Sequence, residues 1–284
     1  MKLGVSSYSF SKHMQATGGS YHDICDQAKR IGYDGIEFID LELKHQQADS
    51  VEQLAQDIRA HCDRLGLPII AYTVGADFLN RGQEEVDRIK GQLDIAKILG
   101  AKVLRHDATW SLPEGVDWRE AVERIKKPIR EVAQYAQSLG IRTCTENHGY
   151  VLQDAERVEA LILAVDHPNY GWLIDMGNFL CADDPAVHAM PIAAPYAFHV
   201  HAKDFLYRLP WEKAPTEGGW FPSRGGGHLR GTIAGHGVVP IPYCLQVLRE
   251  KGYKGWLSYE FEGMEDNLPA LEAAHTYLRS LLKD

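Results

Sequence analysis

The amino-acid sequence predicts a (β/α)8 TIM barrel, an α/β fold in a single domain, and three observations predict it. Short apolar runs alternate with longer amphipathic ones eight times along the 284 residues. Each pair spans roughly 30 residues, the size of one strand–helix unit. Five of the longer runs stop at glycine, at Gly32, Gly66, Gly100, Gly140 and Gly252, the residue that most readily takes the left-handed turn closing a helix. A doubly wound sheet of this length would carry a glycine-rich phosphate turn after its first strand. Ser6, Ser7, Tyr8, Ser9 and Phe10 stand there instead, which favours the barrel.

In order, 3–8 reads as a strand and 21–31 as a helix. A strand over 35–39 and a helix over 51–65 follow, then a strand over 68–74 and a helix over 84–99. A strand over 102–105 leads into His106 and Asp107. The helix expected over 118–139 contains Pro128, which predicts a break or kink. A strand over 141–145 delivers Glu146, Asn147 and His148, and Asp154 caps a helix over 154–165. A strand over 170–174 delivers Asp175, before a shorter helix over 185–193. A strand over 197–200 delivers His201. The last unit is a helix over 240–251, a strand over 255–259 delivering Glu260, and a helix over 268–282. No linker or low-complexity stretch divides the chain, so one domain is expected over 1–284. The largest interruption, 206–238, carries Trp211, Trp220, Phe221, three consecutive glycines and Arg208, Arg224 and Arg230. On the face where barrel sites form, such a loop reads as a lid over substrate or as a subunit contact.

Composition narrows the function. The chain is 45% hydrophobic and 24% charged, with a net charge of −9, which argues against a nucleic-acid surface. No run approaches a membrane span and the first residues lack a signal-peptide core, so no membrane partner is expected. The five cysteines are scattered without a Cys-x-x-Cys pair, which fits buried thiols in a reducing, cytoplasmic setting.

The chemistry collects at strand ends. His199, His201 and Lys203 alternate with Val200 and Ala202 and so share one face of an extended strand. Buried polar groups of that kind need partners: a metal and a polar ligand, or simple hydrogen bonds between core histidines. Barrel geometry gathers Glu37, His106, Glu146, His148, Asp175, His201, Lys203 and Glu260 around one mouth. Three of these carboxylates and one imidazole (Glu146, Asp175, His201 and Glu260) end strands five to eight. Packed without a cation, the carboxylates would repel one another. An oxygen-rich set with one nitrogen suits one divalent ion, Mn2+, Mg2+ or Co2+, better than structural zinc. The simpler reading makes each acid the cap of the helix after it.

Several motifs then carry a resemblance over nearly the whole chain. They are Gly32-Tyr33-Asp34-Gly35-Ile36-Glu37, Thr145-Glu146-Asn147-His148, Ile174-Asp175-Met176-Gly177-Asn178, the stretch His199 to Asp204, and the stretch Gly252 to Gly263. In these the chain resembles the xylose isomerase-like TIM barrels, the sugar phosphate isomerase/epimerase group. The resemblance implies a metal site of Glu146, Asp175, His201 and Glu260, usually holding Mn2+, with Glu146 and Glu260 as the catalytic acid–base pair. It implies a small carbohydrate substrate and a homo-oligomer. The expected reaction is isomerisation or epimerisation of a ketose, aldose or cyclitol through an enediolate; the alternative is a lyase or dehydratase using the same proton removal for β-elimination. Tagatose-epimerase-like members place His where this chain has Asn178, and a second Glu where it has Leu152. Arg208 lies near where these relatives use an arginine on the substrate. Around that core, Tyr8, Glu37 and Trp110 are expected to line the pocket. Lys203 and His199 bind substrate oxygens or orient His201, and His106 and His148 serve as further proton shuttles at the substrate. Glu262 is a second-choice ligand, Arg105 reads as a strand-end ion pair, and Asp40, Glu42 and Asp49 read as a solvated face.

Overall fold

The computed structural model describes every residue except His45, Thr216 and Asp284. Eight parallel strands close into a barrel in the order β1-β11-β7-β6-β5-β4-β3-β2. In chain order the strands are β1 (Lys2–Ser6), β2 (Gly35–Ile39), β3 (Ile69–Val74), β4 (Val103–His106), β5 (Arg142–Glu146), β6 (Tyr170–Asp175) and β7 (Ala197–Ala202). Then come β8 (Asp204–Arg208), β9 (Phe221–Pro222) and β10 (His228–Thr232) of a separate antiparallel sheet, and β11 (Trp256–Tyr259), which closes the barrel. The helices are α1 (Ser11–Thr17), α2 (Tyr21–Ile31), α3 (Val51–Leu65), α4 (Phe78–Arg81), α5 (Gln83–Leu99), α6 (Trp118–Ser138), α7 (Ala155–Val165), α8 (Ala186–Ala193), α9 (Ile241–Glu250) and α10 (Asn267–Leu281).

The helices form where caps and apolar stripes agree. Ser20, Ser50 and Asp154 each accept a backbone N–H in the first turn of α2, α3 and α7. The helix α2 buries Tyr21, Ile24, Cys25 and Ala28, one stripe at helical spacing. Two expectations fail locally. The first strand ends at Ser6, because the Ser6 hydroxyl caps a 3-10 turn over Ser7–Phe10 that leads into α1. And Pro128 does not break α6: the helix buries Ala121, Val122 and Ile125 before the proline and Ile129, Val132 and Ala133 after it, so packing on both sides holds it together. Among the described residues no helix is long and apolar enough to cross a membrane.

Inside the barrel, Ile70, Ala71, Val103, Cys144 and Leu173 form an apolar floor, packed against Phe198 and Trp256. Truncating Leu173 to Ala there would cost about 2–5 kcal/mol by leaving a cavity. The inward-facing residues one or two steps further along the strands are polar: Glu37, Thr73, Arg105, Glu146, Asp175 and His201. The floor therefore supports a buried polar layer at the carboxyl ends of the strands.

The 206–238 interruption is not an irregular loop. Apart from Thr216, it folds around the sheet β8-β10-β9. Asp204 ties its two ends together, accepting the backbone N–H groups of Phe205, Gly235, Gly237 and Val239 at 2.9–3.0 Å. Gly237 has to be glycine, since a Cβ there would stand 2.2 Å from Asp204 Oδ1. The far end docks on neighbouring loops through Arg224 to Asp154 (2.7 Å), Ser223 to Asp183 (2.6 Å) and the Tyr150 hydroxyl to the Pro222 carbonyl (2.9 Å).

Candidate active site

Parallel pairing places Asp175 on β6 directly beside His201 on β7, and Ser258 on β11 on the other side of His201. Glu146 ends β5 and Glu260 follows β11 by one residue. Glu146, Asp175, His201 and Glu260 each present a ligand-type atom, and these atoms lie within 4.8 Å of one another. All four side chains are buried.

The partners of each atom show what the cluster is built to hold. Asp175 Oδ1 accepts the backbone N–H groups of Gly177 and Asn178, both at 2.8 Å. Asp175 Oδ2 faces His201 Nδ1 at 3.7 Å. Both of those atoms are buried without a hydrogen bond, although Lys203 Nζ stands 3.4 Å from Asp175 Oδ2 and Glu260 Oε2 stands 3.6 Å from His201 Nδ1; a bound cation would satisfy both. The opposite nitrogen, His201 Nε2, donates to Glu37 (2.9 Å). That pairing fixes the ring with Nδ1 turned to the carboxylates, as expected of a metal-binding histidine. Glu37 also accepts from His199 Nε2 (2.7 Å) and Thr73 Oγ1 (2.7 Å). Burial opposes its charge, but His201 and His199 hold its pKa well below the usual carboxylate range.

The outer carboxylates differ in their neighbours. Glu146 Oε2 pairs with Arg105 (2.8 Å), and Oε1 accepts from the Asn178 amide (2.8 Å). Burial raises its pKa despite Arg105. Glu260 pairs with Lys203 Nζ at 2.6 Å; burial would raise its pKa, yet Lys203 and then His201 hold it low. Lys203 also reaches Asp175 Oδ2 (3.4 Å) and Glu262 (3.4 Å), and donates to the Asn178 side-chain oxygen Oδ1 (3.3 Å). A cleft of about 310 Å³ opens over this group, with Trp110, His148, Asn178, Lys203, Phe221 and Glu262 among its walls. His148 donates from Nδ1 to Asp107 (3.0 Å) and meets Trp110 edge to face. Tyr8 is not among the residues lining this cleft; it is 39% exposed and lines a separate cavity beside α1.

Four other expected pocket residues stand elsewhere. Glu37 and His199 lie sealed beneath the cluster, bonded to each other; Glu37 braces His201 and does not line the cleft. His106 is on the outer side of β4, packed on Phe78 and Tyr170 with Nδ1 donating to a backbone carbonyl, because strand alternation turns Arg105 inward and His106 outward. Arg208 lies on β8 with its guanidinium over Trp220, 5.5 Å from the ring centre, away from the cleft. Arg105 is the ion pair expected of it, but its carboxylates are Asp107 and Glu146. Two contributors escaped sequence reasoning. Asn147 accepts from the Asp175 N–H and donates to the Asp175 carbonyl (3.0 and 2.8 Å), joining the ends of β5 and β6. Phe221 reaches the cleft from the inserted sheet. Asn147 was visible between Glu146 and His148, and Phe221 among the aromatics of the 206–238 stretch read as a lid, but nothing local singled out either residue.

Comparison with known proteins places this fold. The chain is 24% identical to fructoselysine 3-epimerase of Escherichia coli O157:H7 over 270 residues, covering 87% of each chain. It is 26% identical to inosose dehydratase of Yersinia enterocolitica over 144 residues, 49% of this chain and 47% of that one. Among solved structures, the IOLI protein with a binding zinc atom superposes with a TM-score of 0.76 at 18% identity, covering 100% of this chain and 98% of that one. A family model described as xylose isomerase-like TIM barrel matches residues 25–281, and the chain belongs to that family.

Proposed function

We propose that this protein is a divalent-metal-dependent isomerase or epimerase of a small carbohydrate, holding one ion on Glu146, Asp175, His201 and Glu260. The observation that carries the reading is the gathering of three carboxylates and one imidazole within 4.8 Å, in which Asp175 Oδ2 and His201 Nδ1 are buried without a hydrogen bond. The donor set of three oxygen ligands and one nitrogen supports Mn2+, with Mg2+ or Co2+ as substitutes. Such an ion, held by these residues, would supply Lewis acidity to a substrate carbonyl. The chain's own residues do the rest. Glu37 keeps His201 Nδ1 aimed at the ion, and Asn178 and Arg105 fix the Glu146 carboxylate. Glu146 and Glu260 stand at the ends of different strands and serve as the acid–base pair, one removing the proton beside the carbonyl and the other returning it. Lys203, His148 and Asn178 present donors to substrate oxygens at the cleft, with Trp110 in its wall.

The β-elimination reading stands second, on one observation: the Lys203 ammonium at the cleft wall can protonate a departing oxygen. The rest of the reading is one domain over 1–284, working in the cytoplasm as a homo-oligomer on a small carbohydrate, without nucleic-acid or membrane partners. Incubating the Mn2+-loaded protein with ketoses and with 3-keto-glycosides in deuterated water separates the reactions. Deuterium in recovered sugar supports epimerisation or isomerisation, and a released aglycone supports elimination. Exchange that survives complete chelation refutes both.

A further inference from the structure

The inserted sheet β8-β10-β9 has two faces, and the fold and chemistry above account for one. Phe205, Leu229 and Cys181 pack together on the inner face, with Tyr207 and Phe221 against them. Strand alternation turns Arg208, His228 and Arg230 to the other face: Arg208 pairs with His228, and Arg230 stands two residues along the same strand. The Trp220 ring takes the guanidinium of Arg208 at 5.5 Å and that of Arg230 at 5.4 Å from its centre.

These cations lack acids. Among the described residues, Arg208 Nε, Arg230 Nε and His228 Nδ1 are buried without a hydrogen bond, and neither guanidinium forms an ion pair, whereas nearby Arg224 pairs with Asp154 at 2.7 Å. Glu265, at the far end of the face, bonds Thr232 at 2.7 Å. Half-buried charge left so is costly until a counter-charge arrives. The same insertion carries acids that lack cations. The Glu212 carboxylate accepts the Leu209 N–H at 2.7 Å and pairs with no cation. Glu217 is exposed and unpaired too, although it adjoins Gly218, where a Cβ would stand 3.7 Å from Arg230 Nη1. Between these groups, the turn after β8 presents Trp211, 79% exposed and the most exposed large apolar side chain among the described residues, beside exposed Leu209.

Tryptophan and arginine carry most of the binding energy in protein interfaces. A small anion would satisfy the arginines and leave Trp211 bare. A nucleic acid would meet Glu212, Glu217 and a chain of net charge −9. Free cations and free acids on one patch match each other across a two-fold axis, where the patch meets its own copy.

We propose that the outer face of the inserted sheet docks a second copy of this chain about a two-fold axis, Arg208 and Arg230 of each copy meeting Glu212 and Glu217 of the other, with Trp211 packed between them. The proposal gives a place to the homo-oligomer put forward above and rests on none of the metal chemistry.

The test is sedimentation of the full-length protein. Trp211→Ser should weaken the assembly about tenfold or more, and high salt should loosen it as well. An acidic variant, Arg208→Glu with Arg230→Glu, and a basic variant, Glu212→Lys with Glu217→Lys, should each sediment alone at half the parent's mass. Mixed in equal amounts, they should restore the parent's mass. Thermal melting checks folding; Trp211, Glu212 and Glu217 are exposed, so Trp211→Ser and the basic variant test the face even if the acidic variant unfolds. An assembly unchanged in Trp211→Ser and in the basic variant overturns the proposal and leaves the homo-oligomer to another face. Two folded charge variants that stay apart when mixed overturn it as well. A monomeric parent removes both the proposal and the homo-oligomer.

Discussion

Replacing Glu37 by Gln tests the idea that a buried carboxylate aims His201 at the cation. Glu37 accepts from His201, His199 and Thr73, is fully buried and carries the only negative charge bonded to His201 Nε2 among the described residues. Glutamine keeps the shape but turns one acceptor into an N–H2 donor facing a ring N–H. One charge-assisted hydrogen bond is lost, worth about 1.5–3 kcal/mol of folding stability. The effect on the ion is the sharper readout. Removing the partner that orients a metal-binding histidine typically costs ~10–100-fold in metal affinity, or about 1.4–2.7 kcal/mol. Free Mn2+ followed by electron paramagnetic resonance during titration measures it directly. Thr73→Val is the control. It removes a Glu37 hydrogen bond without touching His201, so it should lower the melting temperature and leave Mn2+ affinity intact. An E37Q protein that binds Mn2+ within twofold of the parent would refute the bracing role. So would a T73V protein that loses as much affinity as E37Q.

Arg105→Met should destabilise the fold by about 3–5 kcal/mol, because it leaves Glu146 and Asp107 buried without their cation; urea unfolding measures it, and Arg105→Lys should recover only part. His106 gives a pH prediction, since burial holds its pKa down to about 4. As pH falls from about 6.5 towards 4, the unfolded chain takes up a proton that the folded chain refuses, so roughly 3 kcal/mol of stability is lost across that window. His106→Phe, packed on the same Phe78 and Tyr170 rings, should flatten this part of the stability–pH curve; an unchanged slope in urea melts at pH 5 and 7 counts against it. Asp204→Asn should speed amide hydrogen exchange at Gly235, Gly237 and Val239 while the barrel strands stay protected, because those amides lose a carboxylate acceptor.

The barrel was legible because its signals are local and repeated. The helices α2 and α3 each carry a stripe, a serine cap and a closing glycine, and β3 is a short apolar run. The inserted sheet was not legible for the opposite reason. Its pairing joins Asp204 with Thr232 and Arg208 with His228, about twenty residues or more apart, and β9 has only two residues. A strand that short has no alternation to read. The turn glycines and aromatics of 206–238 announced irregularity, whereas the tie that orders the segment is Asp204, which sits in the motif before it.

In the site, residue identity was easier to read than side-chain direction. Glu146, Asp175, His201 and Glu260 gather as expected because each ends or follows a barrel strand, and strand ends share one mouth. Glu37, His106 and His199 are misplaced because every polar residue near that mouth was treated as facing it, and Arg208 because its place was carried over from the resemblance. Strand alternation sorts His106. Val103 is part of the interior floor, so Arg105 must face inward and His106 outward. Depth sorts the others. Glu37 and His199 face inward too, yet their side chains end one layer below the cluster, where they can bond only to each other, to His201 and to Thr73. A carboxylate at that depth needs cationic or donor partners, and two imidazoles and a hydroxyl supply them. Glu37 and His199 therefore form the support of the site, and the polar residues one step further out, Lys203 and His148, reach the open cleft.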